Sequence, residues 1–446
     1  MSKWLIRLTA TLACAGVVVV PFAQHTLSAA TPAAVDAVDF APPSDDGHLI
    51  VEWNQIFNDS VLATTPAPNS LVTSRSAAIM AAAVFDAVNG VDRRYVPLHV
   101  TARAPARASA QAAAVQAAYS TLVRLYPART ATLASRRDAS LAALMALEHP
   151  HAADAIAQGV AWGQHVADAI WMARQSDGFT PTMAPFIGSD ALGFWRPTPT
   201  AFLPGSGPQF ATMTPWVLTR PSQFRLPPPP ALSSVAYATD YNETQLWGGA
   251  FSSPRQQTDA DIARFWSGNG TLYWTRVAVQ LASVADLDLV DSARLFAALH
   301  VSMADASIAA WDSKYRYAFW RPVTAIQLGE NDRNAATVGD PSWMPFLTTS
   351  AHPEYPSGHS NLVGAAATVL GTIFGENVAF KATSEVMPGP VRSFVGFNEA
   401  ITEMANARVF GGMHFRNSCL RGSELGGTVA TYVLEHAMQP IGHGAR

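Results

Sequence analysis

Apolar residues recur three and four positions apart through most of this chain, the period of a helix with one buried face. Residues 72–175 are Ala-rich and broken near Pro127. They predict four helices, at Ser74–Val88, Ser109–Leu125, Thr130–Leu147 and Ala152–Arg174. The pattern returns at Asp259–Ala285, Asp288–Trp311, Asn361–Phe374, Phe397–Arg408 and Gly422–His436. Alternating, β-branched sequence is scarce. Residues 181–231 hold twelve of the 31 prolines and end in Pro227–Pro230. Each proline removes a backbone donor, so no helix survives that density and a long ordered loop or strap is expected. The predicted fold is all-α. Two helical bundles, at residues 31–180 and 246–446, are joined by a Pro-rich connection at 181–245.

Composition narrows the function classes. Hydrophobic residues make up 49% of the 446 and charged residues 14%, which fits a folded enzyme-like body and not a disordered scaffold. Net charge is −4 without basic blocks, so nucleic acid is not an expected partner. Lys3 and Arg7 precede the apolar stretch Leu8–Val20, and Ser28-Ala29-Ala30 offers small residues for cleavage. Residues 1–30 therefore read as a signal peptide, predicting a secreted or periplasmic protein with no stable membrane anchor, since no later stretch looks long enough to span. Cys14 falls in that segment and leaves Cys419 alone, so no internal disulfide is expected. A homo-oligomer is compatible with all of this.

Three separated segments carry chemistry. Lys314 and Arg321 are seven apart, nearly aligned on a helix of about 100° per residue. In Pro356-Ser357-Gly358-His359, the proline suggests a helical first turn with the apolar run Leu362–Phe374 behind it. Ser357, Gly358 and His359 would then lie at a helix N-terminus, where free N–H groups favour an anion. Arg408 and His414 are six apart, with Gly411-Gly412 between them to turn the chain back. Three cations, a hydroxyl, a backbone donor and two imidazoles suit a small tetrahedral oxyanion. Such a cage serves phosphoryl transfer, with one histidine attacking phosphorus and the other protonating the leaving oxygen. It also serves an oxidase in which the anion stays as a Lewis acid toward peroxide.

At these residues the chain resembles the vanadium-dependent haloperoxidases and the related type-2 phosphatidic-acid and bacterial acid phosphatases. Their signature reads Lys-x6-Arg-Pro, Pro-Ser-Gly-His, then Ser-Arg-x5-His-x3-Asp. The first two parts match at Lys314, Arg321, Pro322 and Pro356–His359; in the third, Ala407 stands for the Ser and Ser418 for the Asp. The strings Lys314–Pro322 and His352–His359 are similar to the haloperoxidase branch, with weaker likeness at Phe265-Trp266 and Phe85–Asn89. The resemblance implies vanadate as cofactor, with phosphate able to take the same place. It makes His414 the apical ligand, Lys314, Arg321 and Arg408 the neutralising cations, Ser357 and Gly358 donors to the anion, and His359 the acid/base. His352 would bear on halide choice, favouring bromide and iodide over chloride. Trp311, one turn before Lys314, would line the halide pocket. Asn269 falls near where these enzymes place an Asp that hydrogen-bonds the acid/base histidine, so a neutral amide would stand beside His359, with Asp305 or Asp312 as the alternative partner.

The leading reading is thus a haloperoxidase that takes hydrogen peroxide, halide and an organic acceptor. A secreted acid phosphatase using His414 as nucleophile is the alternative. It would need a carboxylate on the other imidazole nitrogen, which Ser418 does not supply. An oxyanion-binding protein without turnover would need neither histidine.

Overall fold

The computed structural model describes residues 45–147, 152–180 and 183–442; the leader segment and Cys14 lie outside them. Thirteen α-helices follow in order among the described residues: α1 (Asp45–Leu62), α2 (Ser70–Asp92), α3 (Ala110–Leu125), α4 (Thr130–Leu147), α5 (Ala152–Gln175), α6 (Val235–Gly248), α7 (Gln257–Phe265), α8 (Gly270–Ala282), α9 (Leu289–Tyr317), α10 (Pro322–Gln327), α11 (Gly358–Phe374), α12 (Phe397–Phe410) and α13 (Arg416–His436). One antiparallel hairpin, β1 (Phe380–Thr383) and β2 (Val391–Phe394), pairs Phe380 with Phe394 and Thr383 with Val391.

α9 is the central element. Every residue from Leu295 to Lys314 is buried, because α1, α2, α11 and α13 all pack against this helix. Small residues along it (Ala297, Ala298, Ala304, Ala306, Ala309, Ala310) let the neighbours approach closely. α2 is also long and apolar enough to cross a membrane, contrary to the expectation from sequence. Its apolar window is 89% buried inside the protein, as befits a core helix. α11 and α13 meet through glycine: a Cβ on Gly364 would lie 2.1 Å from the Ser423 carbonyl oxygen.

The Pro-rich segment is an ordered strap laid over α9. The buried carboxylate of Asp305 accepts the N–H groups of Trp216, Val217 and Leu218 at 2.7–3.0 Å. Arg225 forks onto Asp312 at 2.7 Å, and the Tyr315 and Tyr317 hydroxyls donate to the Ser206 and Leu226 carbonyls. Asp86 on α2 grips Leu98, His99 and Val100 in the same way as Asp305 grips its loop.

The helices read from periodicity at 130–147 and in the core of α2, α3, α5, α9, α11, α12 and α13 are present. Three expectations differ. The predicted helix Asp259–Ala285 is two, α7 and α8, separated at Ser267-Gly268-Asn269, where Asn269 caps α8 by accepting the Thr271 N–H. α1, α6 and the hairpin carry patterns too short or too mixed to stand out. Finally, Lys314 and Arg321 do not share a helix. α9 stops at Tyr317 with Ala318 left-handed (φ 45°), and Arg321 is the N-cap of α10.

Candidate functional site

The chain reversal at Ala318–Trp320 brings Arg321 back beside Lys314 by a turn, not by helical repeat, and both are fully buried. Lys314 Nζ donates to the carbonyls of Pro353 (2.8 Å) and Glu354 (3.0 Å), which leaves one of its three protons free. Arg321 Nε donates to the His352 carbonyl at 2.8 Å. Its Nη1 donates to the Met413 carbonyl at 2.8 Å and faces His414 Nε2 at 3.1 Å. Arg408, on the last turn of α12, donates to the Trp266 carbonyl and to Met413 Sδ, while its buried Nε has no partner. Gly412 (φ +70°) then turns the chain so that His414 returns to the same point. This agrees with the turn expected from Gly411-Gly412.

Pro356 lies two residues before α11, ahead of the N-cap, so it does not open the helix as expected. Ser357 is the N-cap, its side chain accepting from Ser360 N. Gly358 is the first helical residue, with its N–H among the unpaired donors of the first turn. A Cβ there would press to 3.3 Å from the Trp311 ring.

The two histidines are held in defined tautomers by acceptors that can only accept. His359 Nε2 lies 2.9 Å from the Gly268 carbonyl, so Nε2 carries the hydrogen and Nδ1 is the nitrogen free to take a proton. Asn269, the expected neighbour of His359, is engaged elsewhere: its amide donates to Pro68 and Thr73. Asp305 and Asp312 are likewise engaged with the strap. The break between α7 and α8 frees the Trp266 and Gly268 carbonyls for Arg408 and His359, which is what the Phe265-Trp266 segment contributes.

His414 Nδ1 lies 2.9 Å from Glu354 Oε1, and that same oxygen accepts the Phe415 N–H at 3.0 Å. Oε1 is therefore an acceptor, Nδ1 bears the hydrogen, and Nε2 presents its lone pair. The carboxylate missing at Ser418 is supplied by Glu354, sixty residues before His414 in the chain. Ser418 supports it from behind, with Oγ 3.3 Å from the Glu354 carbonyl and its own carbonyl on the Ser357 N–H. Glu354 Oε2 is buried without a partner.

Three buried cations against one buried carboxylate leave two positive charges without a counterion. Burial comes first in every shift at the site, and repulsion between the cations adds to several of them. Burial, then repulsion from Arg321, pushes Lys314 well below the usual ammonium range. Burial pulls Arg321 to about 9 and Arg408 to about 10. Burial and the surrounding cations hold His414 and His352 well below the usual imidazole range, and burial with Arg408 does the same to His359. Burial lifts Glu354 to about 7, against the pull of Lys314 and Arg321. A bound anion relieves all of the cationic repulsions at once.

Above this floor opens a chamber of about 280 Å³ lined by Leu71, Leu203, Ser206, Ser307, Trp311, His352, Gly358, His359, Leu362, Arg408 and His414, among others. His352 tilts over Trp311 with ring centroids 5.1 Å apart and receives the Arg321 Nη2 at 3.0 Å. Nothing in the sequence pointed to Glu354's role, to the Gly268 carbonyl, or to the strap residues Leu203 and Ser206. Glu354 does fall within the His352–His359 string that is similar to the haloperoxidase branch.

Residues 294–443 match the VCPO second helical-bundle domain. A segment of 105 residues is 34% identical to vanadium chloroperoxidase of Curvularia inaequalis; it covers 20% of this chain and only 17% of that protein. The crystal structure of a bacterial vanadium-dependent iodoperoxidase superposes with a TM-score of 0.75 at 27% identity, over 90% of this chain and all of that one. A holo-type bacterial vanadium-dependent chloroperoxidase shares the fold, with a TM-score of 0.67 at 18% identity, over 90% of this chain and 98% of that one.

Proposed function

We propose that this chain, similar in sequence and fold to the vanadium haloperoxidases and carrying their second-bundle domain, holds vanadate at His414 and oxidises halide with hydrogen peroxide to hypohalous acid. The observation that carries the reading is the cationic floor around one imidazole: Lys314, Arg321 and Arg408 are buried, Arg408 Nε is unpartnered, and His414 Nε2 faces them. These residues fit the cofactor. His414 Nε2 would be its protein ligand, and the three cations, Ser357 Oγ and the Gly358 N–H would meet its oxygens. Bound vanadate supplies a Lewis acid that activates peroxide toward halide without a change in oxidation state.

The protein's part follows from its hydrogen bonds. Glu354 holds the hydrogen on His414 Nδ1 and strengthens Nε2 as a donor of its lone pair. His359 Nδ1 takes a proton from peroxide and returns it, while Gly268 keeps the ring oriented. Bromide and iodide are the proposed halides. Chloride is the hardest of the three to oxidise, and the His352 imidazole keeps the chamber wall polar where an apolar ring would dry it and favour a stronger oxidant. The enzyme is proposed to work outside the cytoplasm, after cleavage of the leader at residues 1–30, with an organic acceptor for the halogen.

The Glu354–His414 pair favours a second reading. A carboxylate-backed imidazole is also what a nucleophile on phosphorus requires, so the acid-phosphatase alternative is not weakened by Ser418. One experiment separates them. Protein purified without phosphate is loaded with orthovanadate and assayed for peroxide-dependent bromination and iodination, and unloaded protein is assayed for phosphomonoester hydrolysis. Halogenation that depends on vanadate and disappears in His414→Ala is expected. Efficient ester hydrolysis without halogenation would establish the phosphatase.

A further inference from the structure

Of the six methionines buried among the described residues, Met413 alone lies outside the apolar core that takes Met80, Met213, Met303, Met404 and Met438. Its sulfur lies on a cation instead, 2.8 Å from Arg408 Nη2. A thioether is a weak acceptor, so this contact leaves the guanidinium available to a bound anion. The backbone of the same residue ties both cage arginines. Its N–H donates to the Arg408 carbonyl at 3.1 Å, and its carbonyl accepts from Arg321 Nη1 at 2.8 Å. His414 is the next residue in the chain. A change at residue 413 therefore acts on two of the three cations and on the imidazole together.

A dissolved oxidant meets other methionines first. Met145, Met172, Met183 and Met344 are 36–69% exposed, and Met413 only 5%. An oxidant formed at His414 starts instead one residue away from the Met413 thioether, in a chamber lined by Arg408 and His414. Thioether sulfur is soft and polarisable, and its conversion to the sulfoxide is a common oxidative lesion. At this position the lesion would fall inside the frame of the anion site.

We propose that Met413 is an oxidative modification site through which the enzyme's own oxidant lowers the affinity of the anion site. The inference rests on the haloperoxidase reading, which supplies that oxidant. The sulfur gives up two electrons and gains one oxygen. With hydrogen peroxide the O–O bond breaks and the second oxygen leaves as water. With hypohalous acid the O–X bond breaks, halide leaves and the proton is released. The product is methionine sulfoxide, polar where the thioether was apolar, with an oxygen that accepts strongly where the sulfur accepted weakly. Bonded to Arg408, that oxygen competes with the anion for the guanidinium. Methionine sulfoxide is open to enzymatic reduction, so the loss is reversible.

The test treats phosphate-free protein with hydrogen peroxide alone, removes the peroxide, and follows both the modification and the site. The tryptic peptide Val409–Arg416 holds Met413 as its only sulfur-containing residue, and fragment masses separate oxygen added there from oxygen added to His414. Met413 should gain one oxygen. Tight orthovanadate sites, counted by calorimetric titration, should disappear in step with it, each weakened about tenfold or more. Met413→Leu, of similar volume and without sulfur, should keep its own untreated affinity through the same exposure. Met413→Gln, which carries an amide oxygen in place of the sulfoxide's, should be weakened with no oxidant at all. In the vanadate-loaded enzyme, bromide with peroxide should oxidise Met413 faster than peroxide alone does. Oxidation at Met413 without loss of tight sites, equal loss in Met413→Leu, or a residue left unoxidised in both arms overturns the proposal. Loss of sites with peroxide alone, in protein that does not brominate when loaded, would sustain the link from Met413 to the anion and sink the haloperoxidase reading instead.

Discussion

Glu354 does more for the site than its place in the chain suggests. Its carboxylate orients His414 and the Phe415 N–H, while its carbonyl receives Lys314 and Ser418. Replacing it with Gln keeps the shape but removes the charge that makes Nε2 basic. Outer partners of this kind are worth about 10–100-fold in affinity or activity. Glu354→Gln should therefore weaken vanadate binding by that range in a calorimetric titration, and Glu354→Ala by more, because Nδ1–H is then buried without an acceptor. Ser418→Asp tests the geometry from the other side. A carboxylate at 418 would face the Glu354 carbonyl oxygen, in a buried space already holding a carboxylate. We expect it to lower the melting temperature and the affinity for vanadate or phosphate, and not to raise phosphatase activity. Higher ester hydrolysis in that variant would mean that residue 418, and not Glu354, can serve His414.

Among the elements, α9 has two tasks: its last turns carry Trp311 and Lys314 into the site, and its side chains fasten the strap that walls the chamber. Asp305 is the strongest of those fastenings, since one buried carboxylate satisfies three consecutive backbone N–H groups. Burial raises its pKa while the Trp216, Leu218 and Val217 N–H groups pull it back down. Asp305→Ala leaves those donors without their acceptor, at a cost of about 1–3 kcal/mol for each one that stays buried. The expected result is a lower melting temperature together with protease cleavage within residues 183–231, at a rate well above that of the parent. Unchanged cleavage would show that Arg225–Asp312 and the tyrosines hold the strap alone.

For the molecule as a whole, the two uncompensated buried charges link folding to anion binding. A ligand that binds only the folded state stabilises it by about 2.7 kcal/mol at a hundredfold excess over its dissociation constant. Orthovanadate and phosphate should both raise the melting temperature of the parent. The rise should shrink strongly in Arg408→Gln, whose guanidinium Nε is the unpartnered donor. That variant should at the same time be no less stable than the parent when no anion is present, since one source of cationic repulsion has gone. A rise in melting temperature that survives the substitution would place the anion elsewhere.

The sequence alone determined the helical class, most of the core helices and the candidates for the cage, because periodicity and local spacing are properties of short stretches of chain. Lys314, Arg321, Ser357, Gly358, Arg408 and His414 do converge, although a turn at Ala318, and not helical repeat, aligns the first pair. What tertiary structure decided is whatever depends on partners far apart in the chain. Ser418, one turn past His414, made a carboxylate look absent, when Glu354 reaches the same imidazole from another segment. Asn269 looked like a partner of His359 because it is near in register, but its preference for capping α8 turns it away and leaves a backbone carbonyl in its place. Carbonyls carry no residue-specific signal, so neither that contact nor the one from Trp266 to Arg408 could be read. The chamber was equally hidden. Leu203 and Ser206 come from a segment whose prolines forbid helix but say nothing of where it lies, and only the side chains of α9 fix it over the site.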